Sequence, residues 1–210
     1  MTSCKQHPVR NLGVMYDKNM SMKSQVSSIV KTTSYHTRNI SRIRKYIDTD
    51  SAKTLVNSLV TSRLDYCNSQ LAGINSGQFD RLDRVQNCAA RVILQLPRSV
   101  APDLSSLHWL PIRQRVDYKI ATLVFKTLHG LAPSYLQELL TPYTAGRHLR
   151  SDNDNLLVVP RTTNKSGNRS FVVNGPCVWN ALPCHVRCTS DLNVFKRLLK
   201  TVLFRRAFNC

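Results

Sequence analysis

Acidic side chains are scarce in this 210-residue chain, which has 12 Asp and Glu residues against 30 Lys and Arg residues and a formal net charge of +18. Such an excess raises self-repulsion without helping a chain to fold, and it favours a polyanionic partner, with nucleic acid ahead of a membrane surface. Residues 1–47 and 155–210 each carry nine basic side chains and one acidic side chain. The two ends are therefore predicted to be contact surfaces, although a basic protein without such a partner is the alternative.

Long apolar runs are also missing, and their absence excludes further classes of protein. No run in the sequence approaches the roughly 20 residues that span a bilayer. The first ten residues are polar and basic, unlike the apolar core of a secretory signal. The seven cysteines are thus expected to be reduced thiols. We predict an intracellular protein, of the nucleus or the cytoplasm, with no membrane partner.

The sequence lacks the motifs of common active sites, including a Gly-rich phosphate loop and a nucleophile elbow. Two Asp-x-Asp pairs occur, Asp48 with Asp50 and Asp152 with Asp154. Two-metal phosphoryl transfer needs carboxylates that converge from separate elements. The first pair lies where a helix cap is needed and the second lies in a polar loop. We therefore predict no catalytic residue and no cofactor.

A cluster of thiols near the C-terminus is the sharpest candidate metal site. It comprises Cys177, Cys184, His185 and Cys188. Zinc takes four such ligands, but these spacings are not those of a known finger. Because Cys184 and His185 are adjacent, joint ligation is awkward. Ordinary packed or surface thiols are the preferred interpretation, and no metal site is predicted.

Apolar residues recur at steps of three or four along most of the chain, which predicts amphipathic helices. The predicted helices cover residues 21–47, 52–71, 77–96, 111–128, 134–140 and 191–206. The fourth is the best delimited, since Pro111 suits a first helical position and Gly130 followed by Pro133 ends the helix. The predicted fold class is mainly α, a helical bundle.

Two small β elements are predicted beside the helices. Residues 8–17 alternate apolar and polar side chains around Gly13, which is typical of a strand. Because one strand is unstable alone, it must pair with later residues or with a sheet outside this sequence. The β-branched runs 156–160 and 170–173 predict a hairpin-like pair before the C-terminal helix. Residues 174–188 are predicted to be irregular, with Trp179 as their anchor.

The helix predicted over residues 21–47 carries the clearest functional signal. Its cations at offsets of 0, 7, 11 and 14 form one stripe opposite the apolar face: Lys31, Arg38, Arg42 and Lys45. No acidic residue occurs between Lys18 and Asp48, whereas an ordinary solvated face usually mixes both signs. We predict that this stripe faces phosphates and that Tyr35, beside it, stacks on a base.

A second basic face is predicted on the C-terminal helix. Its cations are Lys196, Arg197 and Lys200, opposite the apolar side of that helix. Together with the first stripe it forms the predicted nucleic-acid-binding set. Arg44 departs from the pattern, because it falls towards the apolar side of its helix.

Six strings of the sequence carry a resemblance when they are taken together and in order. They are VRNLGVMYD (9–17), RNISRIRKYI (38–47), LVTSRLDYCNSQLAG (59–73), LDRVQNCAARVI (82–93), LHWLPIRQRVDYKIATLVFKTLHGLAPSYLQELL (107–140) and WNALPCHVRCTSDLNVFKRLLKTVLF (179–204). The ordered set resembles the C-terminal part of the reverse transcriptase of non-LTR (LINE-type) retrotransposons of the CR1/jockey group. It covers nearly the whole chain.

The resemblance implies a division into three segments. Residues 1–19 would be a remnant of the polymerase palm strand, 20–150 a thumb-like helical bundle, and 151–210 a basic C-terminal region. In such enzymes the metal-binding aspartates, including an adjacent Asp-Asp pair, lie in the palm, and no adjacent pair occurs in this sequence. No catalytic residue can be carried over, and Met1 is expected to start a truncated reading frame.

The function implied is that of a truncated RNA-directed DNA polymerase, inactive alone, that at most binds RNA or DNA independently of sequence. The missing palm or another protein is a further candidate partner. The alternative is a co-opted or orphaned protein-interaction module without nucleic-acid activity.

Overall fold

The computed structural model describes residues 8–144, 155–164 and 167–209. The chain divides between Arg113 and Gln114 into two compact units, here called the N-terminal and C-terminal units. The elements in chain order are β1 (Val9–Asn11), β2 (Val14–Tyr16), α1 (Lys23–Ile43), α2 (Thr49–Val56), α3 (Ser62–Asp65), α4 (Ser76–Leu94), α5 (Ile112–Leu128), α6 (Ser134–Gln137), α7 (Phe171–Asn180), α8 (Cys184–Arg187) and α9 (Leu192–Phe208). The fold is mainly helical, which confirms the predicted class.

The single strand predicted over residues 8–17 is a two-stranded hairpin in the structure. Strands β1 and β2 pair antiparallel, with Val9 opposite Tyr16 and Asn11 opposite Val14. The two residues between them, Leu12 and Gly13, have φ angles of 44° and 81°. Positive φ at both central positions is what a two-residue hairpin turn of the primed type requires. Each of the two strands thus has a pairing partner within residues 9–16.

Helix α1 packs its apolar side against α4 and α2 in the N-terminal unit. Val26, Ile29 and Ile40 are buried on α1, and Leu82 and Ile93 are buried on α4. This is the face that the three- and four-residue spacing predicted. The helix ends earlier than expected, and a 3-10 turn, Arg44–Tyr46, follows it. Ile43, the last residue of α1, is 45% exposed.

Aspartate and asparagine side chains cap three helices. Asp48 accepts hydrogen bonds from the backbone N–H groups of residues 50 and 51 at the start of α2. Asn75 caps α4, and Asp191 caps α9 in the same way. These short polar side chains satisfy N–H groups that have no partner inside a helix.

The helix predicted over residues 52–71 is interrupted in the structure. Helix α2 continues into a π-helical turn, Asn57–Thr61, and then into the short α3. A 3-10 segment, Asn68–Leu71, completes the stretch. The apolar spacing still buries Ala52, Val56, Val60 and Leu64, so the predicted face holds while the regular helix does not.

Aromatic side chains form the core of the C-terminal unit. Phe195 of α9 stacks on Phe125 of α5 with ring centroids 4.3 Å apart. Trp179 of α7 also stacks on Phe195, with ring centroids 5.8 Å apart. All three side chains are 0% exposed. The prediction that Trp179 anchors its segment is consistent with this burial.

The hairpin-like pair predicted before the C-terminal helix is wrong. Residues 171–173 form the start of α7, and among the described residues the run 156–160 takes part in one isolated antiparallel bridge, from Pro142 to Leu157. The segment 174–188, expected to be irregular, contains most of α7 and all of α8. Burial at helical spacing, by Val173, Pro176 and Trp179, outweighs the β propensity of the valines, which is weak compared with packing.

Candidate nucleic-acid interface

The four predicted cations of the first stripe lie at the surface of the N-terminal unit. Lys31, Arg38 and Arg42 project from α1, and Lys45 lies in the 3-10 turn that follows. All four side chains are exposed. Within the described residues none of them forms an ion pair with a carboxylate. Their charges are therefore available to a partner.

A groove of about 620 Å³ runs between α1 and α4 and gathers most of the predicted stripe. Six basic side chains line it, together with small polar and apolar groups: Arg38, Arg42, Arg44, Lys45, Arg91 and Arg98. No acidic side chain is among its lining residues. We call this the basic groove. Lys31, the first residue of the stripe, lies outside it.

Arg44 is the structural centre of the basic groove, and it is 7% exposed. Its Nε donates to the carbonyl of Val92 at 3.1 Å, and Nη2 donates to the carbonyl of Ile93 at 3.0 Å. Nη1 donates to the carbonyl of Ile47 at 2.8 Å, and Nη2 also reaches Thr49 Oγ1 at 3.0 Å. The guanidinium thus joins the end of α1 to the start of α2 and to the last turn of α4.

The buried charge of Arg44 is balanced by dipoles and not by a carboxylate. Val92 and Ile93 lie in the last turn of α4, where unpaired carbonyl groups favour a cation. Gln95, the C-cap residue of α4, adds its carboxamide oxygen when that group is oriented towards the guanidinium, 2.9 Å from Nη1 and 3.0 Å from Nη2. The full positive charge therefore remains on the wall of the basic groove. This explains why Arg44 falls off the exposed stripe.

The far wall of the basic groove lies on α4 and the segment after it, and the sequence analysis did not select its residues. Arg91 donates from Nε to the carbonyl of Val100 at 2.9 Å and so holds the segment after α4 in place. Arg98 lies on that segment and is exposed. The sequence does contain an indication of this basic wall, since no acidic residue occurs between Asp83 and Asp103.

Two exposed tyrosines accompany the basic groove. Tyr35 is 60% exposed on α1 and contacts His36 edge-on, with ring centroids 5.4 Å apart. Tyr46 is 76% exposed, and the Lys45 ammonium lies 4.7 Å from its ring centroid. Tyr35 is not among the residues that line the basic groove. Tyr46, which the sequence analysis did not select, adjoins a lining residue.

The nearest acidic residues in sequence are engaged elsewhere. Asp48 caps α2, and hydrogen bonds from Ser51 hold its pKa below the ordinary value. Asp50 forms an ion pair with Lys53 at 3.1 Å. Neither aspartate lines the basic groove. The Asp48 and Asp50 pair therefore serves the helix start, whereas Asp152 and Asp154 lie outside the described residues.

The second predicted basic face belongs to the C-terminal unit. Arg197 and Lys200 are exposed on α9, and Lys196 is half-buried. Arg206, further along the same helix, donates from Nη2 to the carbonyl of Ala181 at 2.5 Å. This set forms a solvent-facing side of one helix, without the enclosing wall that α4 gives the first set.

The thiol cluster does not assemble as a metal site in the described part of the chain. Cys184 and Cys188 lie one helical turn apart with sulfur atoms 3.3 Å apart. Among the described residues, no group of three or more His, Cys, Asp or Glu side chains is placed to hold a metal ion. The cysteines of this cluster, Cys177, Cys184 and Cys188, are exposed and do not form disulfides with one another.

A second cavity of about 670 Å³ lies between the hairpin, α1 and the π-helical turn. Arg10, Arg63 and several hydroxyl side chains line it, again without an acidic residue. Ser58 and Ser62 donate their hydroxyl protons to carbonyl groups of their own helix. Because these donors are already used, the cavity is a weaker candidate for anion binding than the basic groove.

Comparison with models of known protein families finds no match, and comparisons with curated proteins and with solved structures find none either. No described helix is both long and apolar enough to cross a bilayer. The geometry and the charge of the basic groove are therefore the grounds for assigning it a function.

Proposed function

We propose that this chain binds RNA or DNA through the basic groove without reading base sequence. The observation that carries the proposal is the enclosure of six cationic side chains, with no acidic one, between α1 and α4. Groups of this kind attract phosphates and release condensed counterions when they bind, which gives affinity that does not depend on sequence.

The origin proposed for the chain is the thumb and downstream region of a non-LTR retrotransposon reverse transcriptase. Its support is the ordered set of sequence strings and their agreement with a basic helical bundle. The palm aspartates that such enzymes use are not matched by any residue here, so we propose a product that binds but does not polymerise. A primer-extension assay on the chain, with Mg²⁺ and a primed RNA template, is expected to give no incorporation. Metal-dependent incorporation would overturn this part of the proposal.

Binding is tested with two variants that remove the same charge from the N-terminal unit. The groove variant replaces Arg38, Arg42 and Lys45 with Ala. The control variant replaces three exposed cations outside the groove lining with Ala: Lys18, Lys23 and Arg84. Each variant has a formal net charge of +15, which is the original +18 less three.

Fluorescence anisotropy with a labelled oligonucleotide measures the affinity of each protein. At about 50 mM salt the groove variant is expected to bind at least about tenfold more weakly than the wild type, because three lost phosphate contacts release about two fewer counterions. The control variant is expected to stay much closer to the wild type. Equal losses in both variants would show that net charge alone attracts the oligonucleotide. That result would remove the basic groove as the site.

A protein-interaction module is the second candidate function, and it has an observation of its own. Leu131, Tyr135 and Tyr143 in the C-terminal unit are each more than half exposed, at 58%, 63% and 54%. Exposed large apolar side chains are typical of interaction surfaces when they are contiguous. Sedimentation velocity at increasing concentration tests self-association. A protein that stays monomeric, and whose binding and solubility do not change in the variant Tyr135→Ser, would count against this function.

A further inference from the structure

Tyr46 is held at the surface by a rigid anchor. It belongs to the 3-10 turn Arg44–Tyr46, whose first residue is the buried arginine. The hydrogen bonds of Arg44 to α4 and to the start of α2 fix this turn from the inside. The next two residues, Lys45 and Tyr46, are therefore presented to solvent from an immobilised backbone. A ring presented in this way loses little conformational entropy when it binds a partner.

The position of this ring relates it directly to the basic groove. Lys45 lines the groove, and its ammonium nitrogen lies 4.7 Å from the centroid of the Tyr46 ring. The ring is 76% exposed, although a tyrosine usually buries much of its apolar body. The ammonium lies over one face of the ring, so this turn presents a cation for a phosphate together with the second aromatic face for a base.

We infer that the occupant of the basic groove is a single-stranded nucleic acid, with one base stacked on Tyr46 while Lys45 and its neighbours hold the flanking phosphates. This inference rests on the proposed function and specifies its substrate. Every base has a π-face, so stacking on an aromatic ring adds affinity without sequence preference. The bases inside a duplex are already stacked on each other, so only a single strand or an end offers a free face. Tyr46 is a binding residue and Arg44 is its positioning residue.

The test compares two single-stranded probes that differ only in their bases. One is an oligothymidylate of about ten nucleotides, within the range of common single-strand site sizes. The other has the same length and phosphate charge but carries abasic sugars throughout. Because electrostatic contacts are shared by both probes, the ratio of their dissociation constants isolates the contribution of the bases. Anisotropy or calorimetry at one fixed salt concentration measures it.

The wild type is expected to bind the thymidylate about fivefold to a hundredfold more tightly than the abasic probe. Tyr46→Ala is expected to bring the ratio towards one while leaving affinity for the abasic probe unchanged. Tyr46→Phe keeps the π-face and is expected to keep the ratio. The control is Tyr135→Ala, which removes an equally open tyrosine, 63% exposed, from the C-terminal unit and is expected to change nothing.

The outcomes separate this inference from the function on which it rests. Tight, salt-dependent binding of both probes with a ratio of one would overturn the inference and leave sequence-independent phosphate binding intact. A ratio that survives Tyr46→Ala would also overturn it. Failure of both probes to bind, even at low salt, would overturn the proposed function itself. Tighter binding of a duplex than of the single strand at equal phosphate concentration would contradict the single-stranded occupant.

Discussion

Replacement of Arg44 with Met is predicted to lower the free energy of unfolding by about 1–3 kcal/mol. The largest part comes from the buried carbonyl of Ile93, since a buried acceptor left without a partner costs about 1–3 kcal/mol. The carbonyl of Val92, at a partly buried position, also loses its donor, and the end of α4 loses a favourable cation. Together these two losses add about 0.3–1 kcal/mol or more. Thr49 is exposed and Ile47 half-buried, so water replaces the guanidinium there. Relief of the desolvation cost of a buried cation offsets part of the total.

Urea denaturation followed by far-UV circular dichroism measures this change. The matched control is Arg42→Met, which removes one cation from an exposed position of the same helix end and is expected to cost less than about 0.5 kcal/mol. Arg44→Lys is expected to fall between the two, because it keeps the charge but loses the planar fork that reaches several acceptors at once. An Arg44→Met protein as stable as the Arg42→Met protein would refute the view that this side chain fixes the turn.

Three further predictions concern stability. Burial raises the pKa of Asp83, so the folded state binds its proton more tightly than the unfolded state does, and the stability that Asp83 contributes is expected to fall as pH rises above the ordinary value of 3.8. Asp83→Asn should remove that decline in a series of melting temperatures against pH, and an unchanged slope would contradict the assignment. Gly13→Ala places a side chain on a residue with a φ angle of +81°. It is expected to lower the free energy of unfolding, measured by urea denaturation, by about 1–2 kcal/mol. An unchanged free energy would contradict the assignment of the turn. Phe195→Ala should lower the free energy of unfolding by about 3–5 kcal/mol. Val194→Ala, at the exposed neighbouring position, should lower it by less than about 0.5 kcal/mol. Similar values for the two variants would exclude the aromatic core.

The long helices could be predicted from the sequence because their burial follows a simple period. Apolar side chains at steps of three or four identify one face of a helix whatever it packs against. The positions and faces of α1, α4, α5 and α9 follow from that spacing. Helix ends were less certain, since the residue that caps α4 is Asn75 and not Ser76. Adjacent polar residues compete for the same cap, and only the backbone geometry decides between them.

The N-terminal hairpin and α7 depend on information that a local pattern does not contain. Leu12 takes a left-handed backbone conformation that residues other than glycine adopt rarely, so its local sequence did not indicate a turn. In α7, Val173 and its neighbour favour a strand by propensity, but the helix buries both Val173 and Trp179. Tertiary packing overrode local preference in this segment.

Half of the candidate site was visible in the sequence. The spacing of Arg38, Arg42 and Lys45 gave the α1 side, because residues on one helix have fixed angular relations. The opposite wall, Arg91 and Arg98, comes from an element 50 residues later in the sequence, and no periodicity links the two. The single-sequence view also did not explain Arg44, whose role depends on carbonyl groups at the end of another helix.

The central claim is tested most directly by the salt dependence of oligonucleotide binding by the wild type and by the groove variant lacking Arg38, Arg42 and Lys45. The logarithm of the association constant is measured against the logarithm of salt concentration for a single-stranded probe. The wild type is predicted to give the steeper line, by a slope difference of about 2, because each neutralised phosphate of a single strand contributes about 0.7. Parallel lines for the two proteins, or a wild-type affinity that does not change with salt, would contradict the assignment of phosphate contacts to the basic groove.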